Sequence, residues 1–140
     1  MNFVRKGSGT PLLLIHGLGG SVRSFDPIVD ALAAEREVVI PDLPGFGDSP
    51  PLAGEVSIAT LADVIEAFMD EHDVRGVDAA GSSMGARLVL ELARRGSVGA
   101  VVSLDPGGFW NRRERKVFGA SVALSVRLVR LLEPMLAFLT

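Results

Sequence analysis

Apolar positions along the chain fall into short unbroken runs, separated by segments with helical spacing. The runs are Pro11-Leu12-Leu13-Leu14-Ile15, Glu37-Val38-Val39-Ile40, Val77-Asp78-Ala79-Ala80 and Ala100-Val101-Val102-Ser103-Leu104. Short runs without polar alternation suit strands buried on both faces of a parallel sheet. Asn2-Phe3-Val4-Arg5 reads as a short edge strand. Between the runs, Phe25, Ile28, Val29 and Leu32 recur at helical spacing, with Ser24 as the expected cap. Ser57 caps a second helix carrying Ile58, Leu61, Val64, Ile65 and Phe68, which frays in Asp70-Glu71-His72-Asp73. A third carries Leu88, Val89, Leu92 and Ala93 and ends at Gly96. The stretch from Asp42 to Gly54, with Pro44, Gly45, Gly47, Pro50 and Pro51, reads as a loop. Strands alternating with helices predict an α/β fold: a mainly parallel sheet of about five strands, helices on both faces through right-handed crossovers, and a helical C-terminal tail.

The length of 140 residues allows one domain or a piece of a larger one. The chain has no cysteine, which excludes disulfides, thiolate chemistry and Cys-zinc sites and suits a reducing, cytoplasmic compartment. Fourteen basic against 17 acidic residues argue against a general nucleic-acid binder. With only His16 and His72, there is little material for a histidine metal site or for a histidine base, and neither metal nor cofactor is expected. Charge is unevenly distributed. Through Trp110 there are 8 basic and 15 acidic residues; from Asn111 onward there are 6 and 2. This shift sets an expected boundary between residues 1–110 and 111–140. Arg112-Arg113-Glu114-Arg115-Lys116 opens the second part, and Val117 to Leu139 is mostly apolar. Arg127, Arg130 and Glu133 interrupt that stretch, so no transmembrane segment is expected. The N-terminus lacks the order of a signal peptide and reads as mature sequence.

One motif carries chemistry. Gly81-Ser82-Ser83-Met84-Gly85 fits G-x-S-x-G, preceded by a buried strand and followed at once by an amphipathic helix. In such a sharp turn the central serine is held in a strained conformation, and flanking glycines remove side chains that would clash. Ser83 Oγ would stand at the C-terminal edge of the sheet, with the Met84 amide at a helix N-terminus beside it. His16-Gly17-Leu18-Gly19-Gly20 follows the first buried strand, and Pro41-Asp42-Leu43-Pro44-Gly45-Phe46-Gly47-Asp48-Ser49 forms a rigid turn after the next. A dinucleotide loop is excluded at the first of these, because Val22 holds the third glycine position of G-x-G-x-x-G.

In order and spacing these three elements resemble the N-terminal half of the α/β-hydrolase family, in its cap-bearing, esterase-like branch. The resemblance covers residues 1 to about 110. It implies a serine hydrolase of carboxylic esters or related acyl bonds, acting on a small-molecule substrate. Ser83 would be the nucleophile, and the amides of Leu18 and Met84 would form the oxyanion hole. The tail from residue 111 resembles the opening of a helical cap. The family's catalytic histidine comes late in the chain, and nothing here matches it, so the resemblance implies a truncated chain with an incomplete triad. His16 sits in a His-Gly turn with a structural or oxyanion-loop role. His72 lies at a helix end, expected at the opposite edge of the sheet. Asp105 is open to two readings, a triad acid or a cap for the Pro106-Gly107-Gly108 turn.

Two further readings compete with the enzyme. The first is a non-catalytic truncated scaffold that self-associates as a homo-oligomer through an exposed sheet edge and the apolar tail. The second is a lipid-surface binder acting through the basic start of the tail.

Overall fold

The computed structural model describes residues 1–108 and 111–136. The chain divides into two compact units, Met1–Gly107 and Gly108–Thr140. The first holds five strands and three helices: β1 (Phe3–Lys6), β2 (Pro11–Ile15), α1 (Asp26–Ala33), β3 (Glu37–Pro41), α2 (Ile58–Glu71), β4 (Asp78–Ser82), α3 (Met84–Arg94) and β5 (Val101–Leu104). The strands form one sheet in the order β1-β3-β2-β4-β5. Only β1 runs antiparallel, pairing Phe3 with Pro41 at one edge; the other pairs are parallel. The five-stranded, mainly parallel sheet with helices on both faces is therefore the architecture found.

Alternation along each strand sorts the core into two layers. Leu13, Ile15, Val39 and Ala79 face α2 and α3 and pack with Leu61, Ile65, Phe68, Leu88 and Leu92. Leu14, Val38 and Ile40 face the other way, onto Phe25 and Val29 of the α1 side. The second layer is smaller because a single helix supplies it. Its cover does not reach β5, where Val102 and Leu104 remain 55% and 56% exposed.

Two elements differ from the sequence expectation. Ser21, not Ser24, caps the first helical segment. Its Oγ accepts from Arg23 N at 3.3 Å, while Ser24 Oγ accepts from Ser21 N at 3.1 Å. The two serines stand three apart and answer each other in a capping box, so spacing alone does not say which leads. The segment opens as a 3-10 turn over Val22–Phe25 and becomes α1 at Asp26, with Pro27 in the first turn where its missing N–H costs nothing. The strand read at Val77 to Ala80 runs instead over Asp78–Ser82, because Gly81 pairs with Ile15 and Ser82 with Leu104.

Ion pairs tie α2 to α3. Arg95 reaches Asp63 at 2.6 Å, Glu66 at 2.7 Å and Glu91 at 2.9 Å. Hydrogen bonds from Arg94 and then Arg95 bring the Glu91 carboxyl down to about 2. Arg75 adds Asp70, Glu66 and Ser97, and Ser97 also bonds Glu66.

The loop after β3 is anchored by Asp42, 1% exposed. Its carboxylate accepts from Asn2 Nδ2 at 2.7 Å, Val22 N at 2.7 Å and Asp48 N at 2.9 Å. Burial pushes this carboxyl up, but the three hydrogen bonds and the neighbouring His16 outweigh it, so it titrates below its ordinary value. Gly47 is obligatory here, because a Cβ on it would lie 2.1 Å from Asp42 Oδ2.

In the second unit, α4 spans Arg112–Leu136. Asn111 caps it, its Oδ1 accepting from Arg113 N at 2.9 Å and Glu114 N at 3.0 Å, and Glu114 answers from N3 by accepting from Asn111 N at 2.9 Å. Arg112, Arg113, Arg115 and Lys116 are exposed. Among the described residues, no helix is long and apolar enough to cross a membrane.

Two stability measurements test this account. Asp42→Asn turns one acceptor into a donor facing N–H groups, and lowers the unfolding free energy at neutral pH by about 2 kcal/mol. The native carboxyl is depressed, so its contribution is complete above the unfolded carboxylate range and is lost as pH falls through the native value. Urea titrations across pH should therefore show the deficit shrinking on the acid side, and a pH-independent deficit would contradict the account. Gly85→Ala gains about 1 kcal/mol of helix propensity but loses more to a backbone clash, for a net destabilisation of about 2 kcal/mol. Gly119→Ala, with nothing within 4 Å, raises helix content instead.

Candidate active site

The chain leaves β2 toward β3 on one side and returns to β4 on the other, since β2 lies between them in the sheet. Loops leaving the C-terminal ends of β2 and β4 diverge there, and such a switch point opens a crevice. Ser83 sits at the end of β4. It is the single residue between β4 and α3, with φ 54° and ψ −113°, a conformation costly for any side chain but glycine. Its N–H donates to Leu104 O at 2.9 Å, and its carbonyl accepts from Arg87 N at 3.3 Å. Both ends of the strained residue are thus held by neighbouring elements.

The flanking glycines have distinct tasks. A Cβ on Gly81 would lie 2.3 Å from Gly85 O, inside the turn itself. A Cβ on Gly85 would lie 2.1 Å from Ile15 O and 2.6 Å from His16 O. Only glycine lets the first turn of α3 pass this close to the end of β2.

Ser83 is exposed, and among the described residues nothing hydrogen-bonds its Oγ. The loop after β2 lies against it: a Cβ on Gly17 would meet Ser83 Cβ at 3.1 Å and Ser83 Oγ at 3.6 Å. Leu18, the next residue, is 63% exposed, and no described residue accepts a hydrogen bond from its amide. Met84 is the first residue of α3, where an N–H has no acceptor within the helix. The structure therefore brings Ser83, the Gly17-Leu18 segment and the start of α3 to one end of the sheet.

Neither histidine reaches Ser83. His16 is fully buried, its Nε2 accepting from Leu43 N at 3.0 Å and its Nδ1 lying 2.8 Å from Gly17 O. The His72 ring packs against Phe3 and Phe68, both with ring centroids at 4.4 Å. Asp105 adopts φ 50° after β5. Its turn is closed by its backbone carbonyl, which accepts from Gly107 N at 2.8 Å; the carboxylate takes no part in that bond. Of the two readings that the sequence leaves open for Asp105, a triad acid or a cap, the bond seen in its turn is a backbone one. Among the described residues, no group of three or more histidines and carboxylates could hold a metal ion.

The role of Asp42 was not legible as a site feature in the sequence. The available signal was indirect: an aspartate six residues before another acid in a glycine-rich loop.

A family model described as the alpha/beta hydrolase fold matches residues 10–123. Among curated relatives, the pimeloyl-[acyl-carrier protein] methyl ester esterase of Aeromonas hydrophila is 41% identical over 91 residues, covering 64% of this chain and 34% of that protein. The dihydrolipoyllysine-residue acetyltransferase component of the acetoin cleaving system of Pseudomonas putida is 39% identical over 85 residues, covering 61% and 23%. Among solved structures, a membrane phospholipase A superposes with a TM-score of 0.65 at 34% identity, over 71% of this chain and 34% of that one. A thermophilic esterase from Thermogutta terrifontis gives 0.66 at 27% identity, over 71% and 38%. These matches span between 23% and 34% of the two curated relatives' length. With the strand order, the Ser83 turn and the match over residues 10–123 in agreement, the chain belongs to the alpha/beta hydrolase fold family.

Proposed function

We propose that this chain carries the nucleophile and oxyanion site of a serine esterase acting on carboxylic esters or related acyl bonds. The observation that carries the reading is Ser83, held at φ 54° at the β4–α3 junction with an exposed hydroxyl that no described residue hydrogen-bonds, beside Gly17. Strain maintained by surrounding structure is a mark of function. The esterase and phospholipase among the similar proteins support the same class.

Ser83 Oγ forms a bond to the acyl carbon as its proton passes to a general base. The carbonyl π electrons move to oxygen, and the Leu18 and Met84 amides donate to that oxyanion. Collapse expels the alcohol, which takes the proton, and water then releases the carboxylate by the same steps. The base is a histidine from outside these 140 residues, because His16 is occupied on both ring nitrogens and the His72 ring packs against Phe3 and Phe68. The acid comes from the same source. The basic, apolar stretch of residues 111–140 is the start of a helical cap.

Prolonged exposure to an activated p-nitrophenyl ester should leave one acyl group on Ser83, seen by peptide mass mapping and absent in Ser83→Ala. Sustained turnover should be absent without the base, since lone triad members retain only residual activity. Acylation elsewhere, or unchanged in Ser83→Ala, would overturn the reading.

A second reading, self-association, has its own observation in Val102 and Leu104, 55% and 56% exposed on the uncovered face of β5. A strand with a free edge and an apolar face invites pairing with a second copy. Sedimentation velocity should show a dimer or larger species that the double substitution Val102→Lys and Leu104→Lys converts to monomer. A wild-type monomer at high concentration would sink this reading.

A further inference from the structure

The 25 residues of α4 make a rod roughly 37 Å long. At 3.6 residues per turn, Arg112, Lys116, Ala123 and Arg127 fall within about 60° of one another around it. Gly119 and Ala120 border them, so as far as Arg127 this face holds cations and small side chains. Val117, Leu124, Leu128 and Leu131 fall together on the opposite side, and Val122 and Val129 lie at the far margin of the same apolar face. All six are exposed, Leu131 by 73%. Arg113 and Arg115, also exposed, stand at the two borders between the faces.

Ser121 and Ser125 fall in the middle of the apolar face, where an unpaired hydroxyl would oppose removal from water. Both are paired within the helix. Ser121 Oγ donates to Phe118 O at 2.8 Å, and Ser125 Oγ donates to Ser121 O at 2.9 Å. Back-bonded in this way, the two hydroxyls lower the cost of burying the face that carries them.

Charge narrows what can cover that face. Among the described side chains of α4, Arg112, Arg113, Arg115, Lys116 and Arg127 stand against Glu114, whose carboxylate accepts from Asn111 N at the helix start. An occupant must therefore be apolar along the helix and anionic at its margins. A second copy of α4 offers apolar surface but brings the same sign of charge. The helix does not cross a bilayer: the uncharged run between Lys116 and Arg127 is ten residues, about half of what a span requires. An acidic phospholipid surface satisfies both conditions, with acyl chains beneath and anionic headgroups around the Arg and Lys tips.

We propose that α4 is an interfacial helix, lying in the plane of an anionic bilayer surface with its Val117-Leu124-Leu128-Leu131 face at the acyl boundary and Arg112, Lys116 and Arg127 among the headgroups. This gives an occupant to the apolar face of the segment read above as the start of a cap, and it is independent of the reading of Ser83.

The test mixes the whole chain with sucrose-loaded vesicles, either of phosphatidylcholine alone or with about one third phosphatidylglycerol, and sediments them. The anionic vesicles should bind about 10-fold more tightly or better, and the advantage should shrink as salt screens the charges. Lys116→Gln with Arg127→Gln should weaken that binding about 5-fold for each charge removed. Both positions are exposed, and circular dichroism checks that the helix persists in the variant. Equal binding to the two vesicle types, binding to neither, or full binding by the double variant would each overturn the proposal. A second measurement reads orientation with every charge in place. The chain has no cysteine, so Leu128→Cys and Ala123→Cys each accept a single nitroxide label. On anionic vesicles the label at position 128 should be shielded from a water-soluble nickel chelate, and the label at position 123 should stay open to it. Equal access at both positions would refute the orientation. A label at position 128 already shielded without vesicles would show that protein covers the face, and would overturn the lipid assignment.

Discussion

The first turn of α3 crosses the end of β2 with backbone close against backbone. Gly85 lies so near the Ile15 and His16 carbonyls that a Cβ would sit 2.1 Å and 2.6 Å from them. A helix can begin that close to the sheet only if the chain turns within one residue, and Ser83 is that residue, at φ 54°. Gly81 removes the remaining clash, within the turn. The strain on Ser83 is sustained by α3 packing, through Leu88, Val89 and Leu92, into the larger core layer. Local conformational cost and tertiary burial are thus two sides of one arrangement, with the packing offsetting the strain.

From that crossing the rest of the site follows. Because α3 is pulled against β2, the loop leaving β2 has little freedom and runs past Ser83 at Gly17. The loop leaving β3 then braces it from behind, through Leu43 on His16 and Asp42 on Val22. The groups involved are buried and paired, which makes the arrangement rigid and leaves the exposed surface at Ser83 and Leu18. The charge network between α2 and α3 lies on the outside of the same layer and holds those helices in register, with Arg95 bridging Asp63, Glu66 and Glu91.

Much of the fold was legible because its signals are local. Pro11 to Ile15 is a strand with the expected bounds, and Ser57 caps α2 through Thr60 N as its position implied. The G-x-S-x-G spacing marked the sharp turn, since no other residue type tolerates the contacts at 81 and 85. Less legible were features in which two equivalent partners compete. Ser21 and Ser24 are both capable caps, and only the course of the chain into the 3-10 turn chose Ser21. Asp42 and Asp48 look alike in sequence, yet Asp42 is 1% exposed with three donors and Asp48 contributes one of them through its backbone. Asp105 was open to two readings, a triad acid or a cap for its turn, and at its positive φ the backbone closes that turn.

By itself, the sequence determined the order of strands and helices, the parallel sheet and the strained serine, because period, caps and glycine spacing act over a few residues. Tertiary structure alone decided which groups meet. Residues 16, 17, 43 and 83 come together through sheet order, which no local pattern encodes. The same holds for the histidines. In the sequence they are two bare candidates for a base. In the fold, His16 has both nitrogens engaged by backbone and His72 packs against two phenylalanine rings, and neither hydrogen-bonds the Ser83 hydroxyl. The availability of a lone pair depends on neighbours distant in sequence, and only the folded chain supplies them.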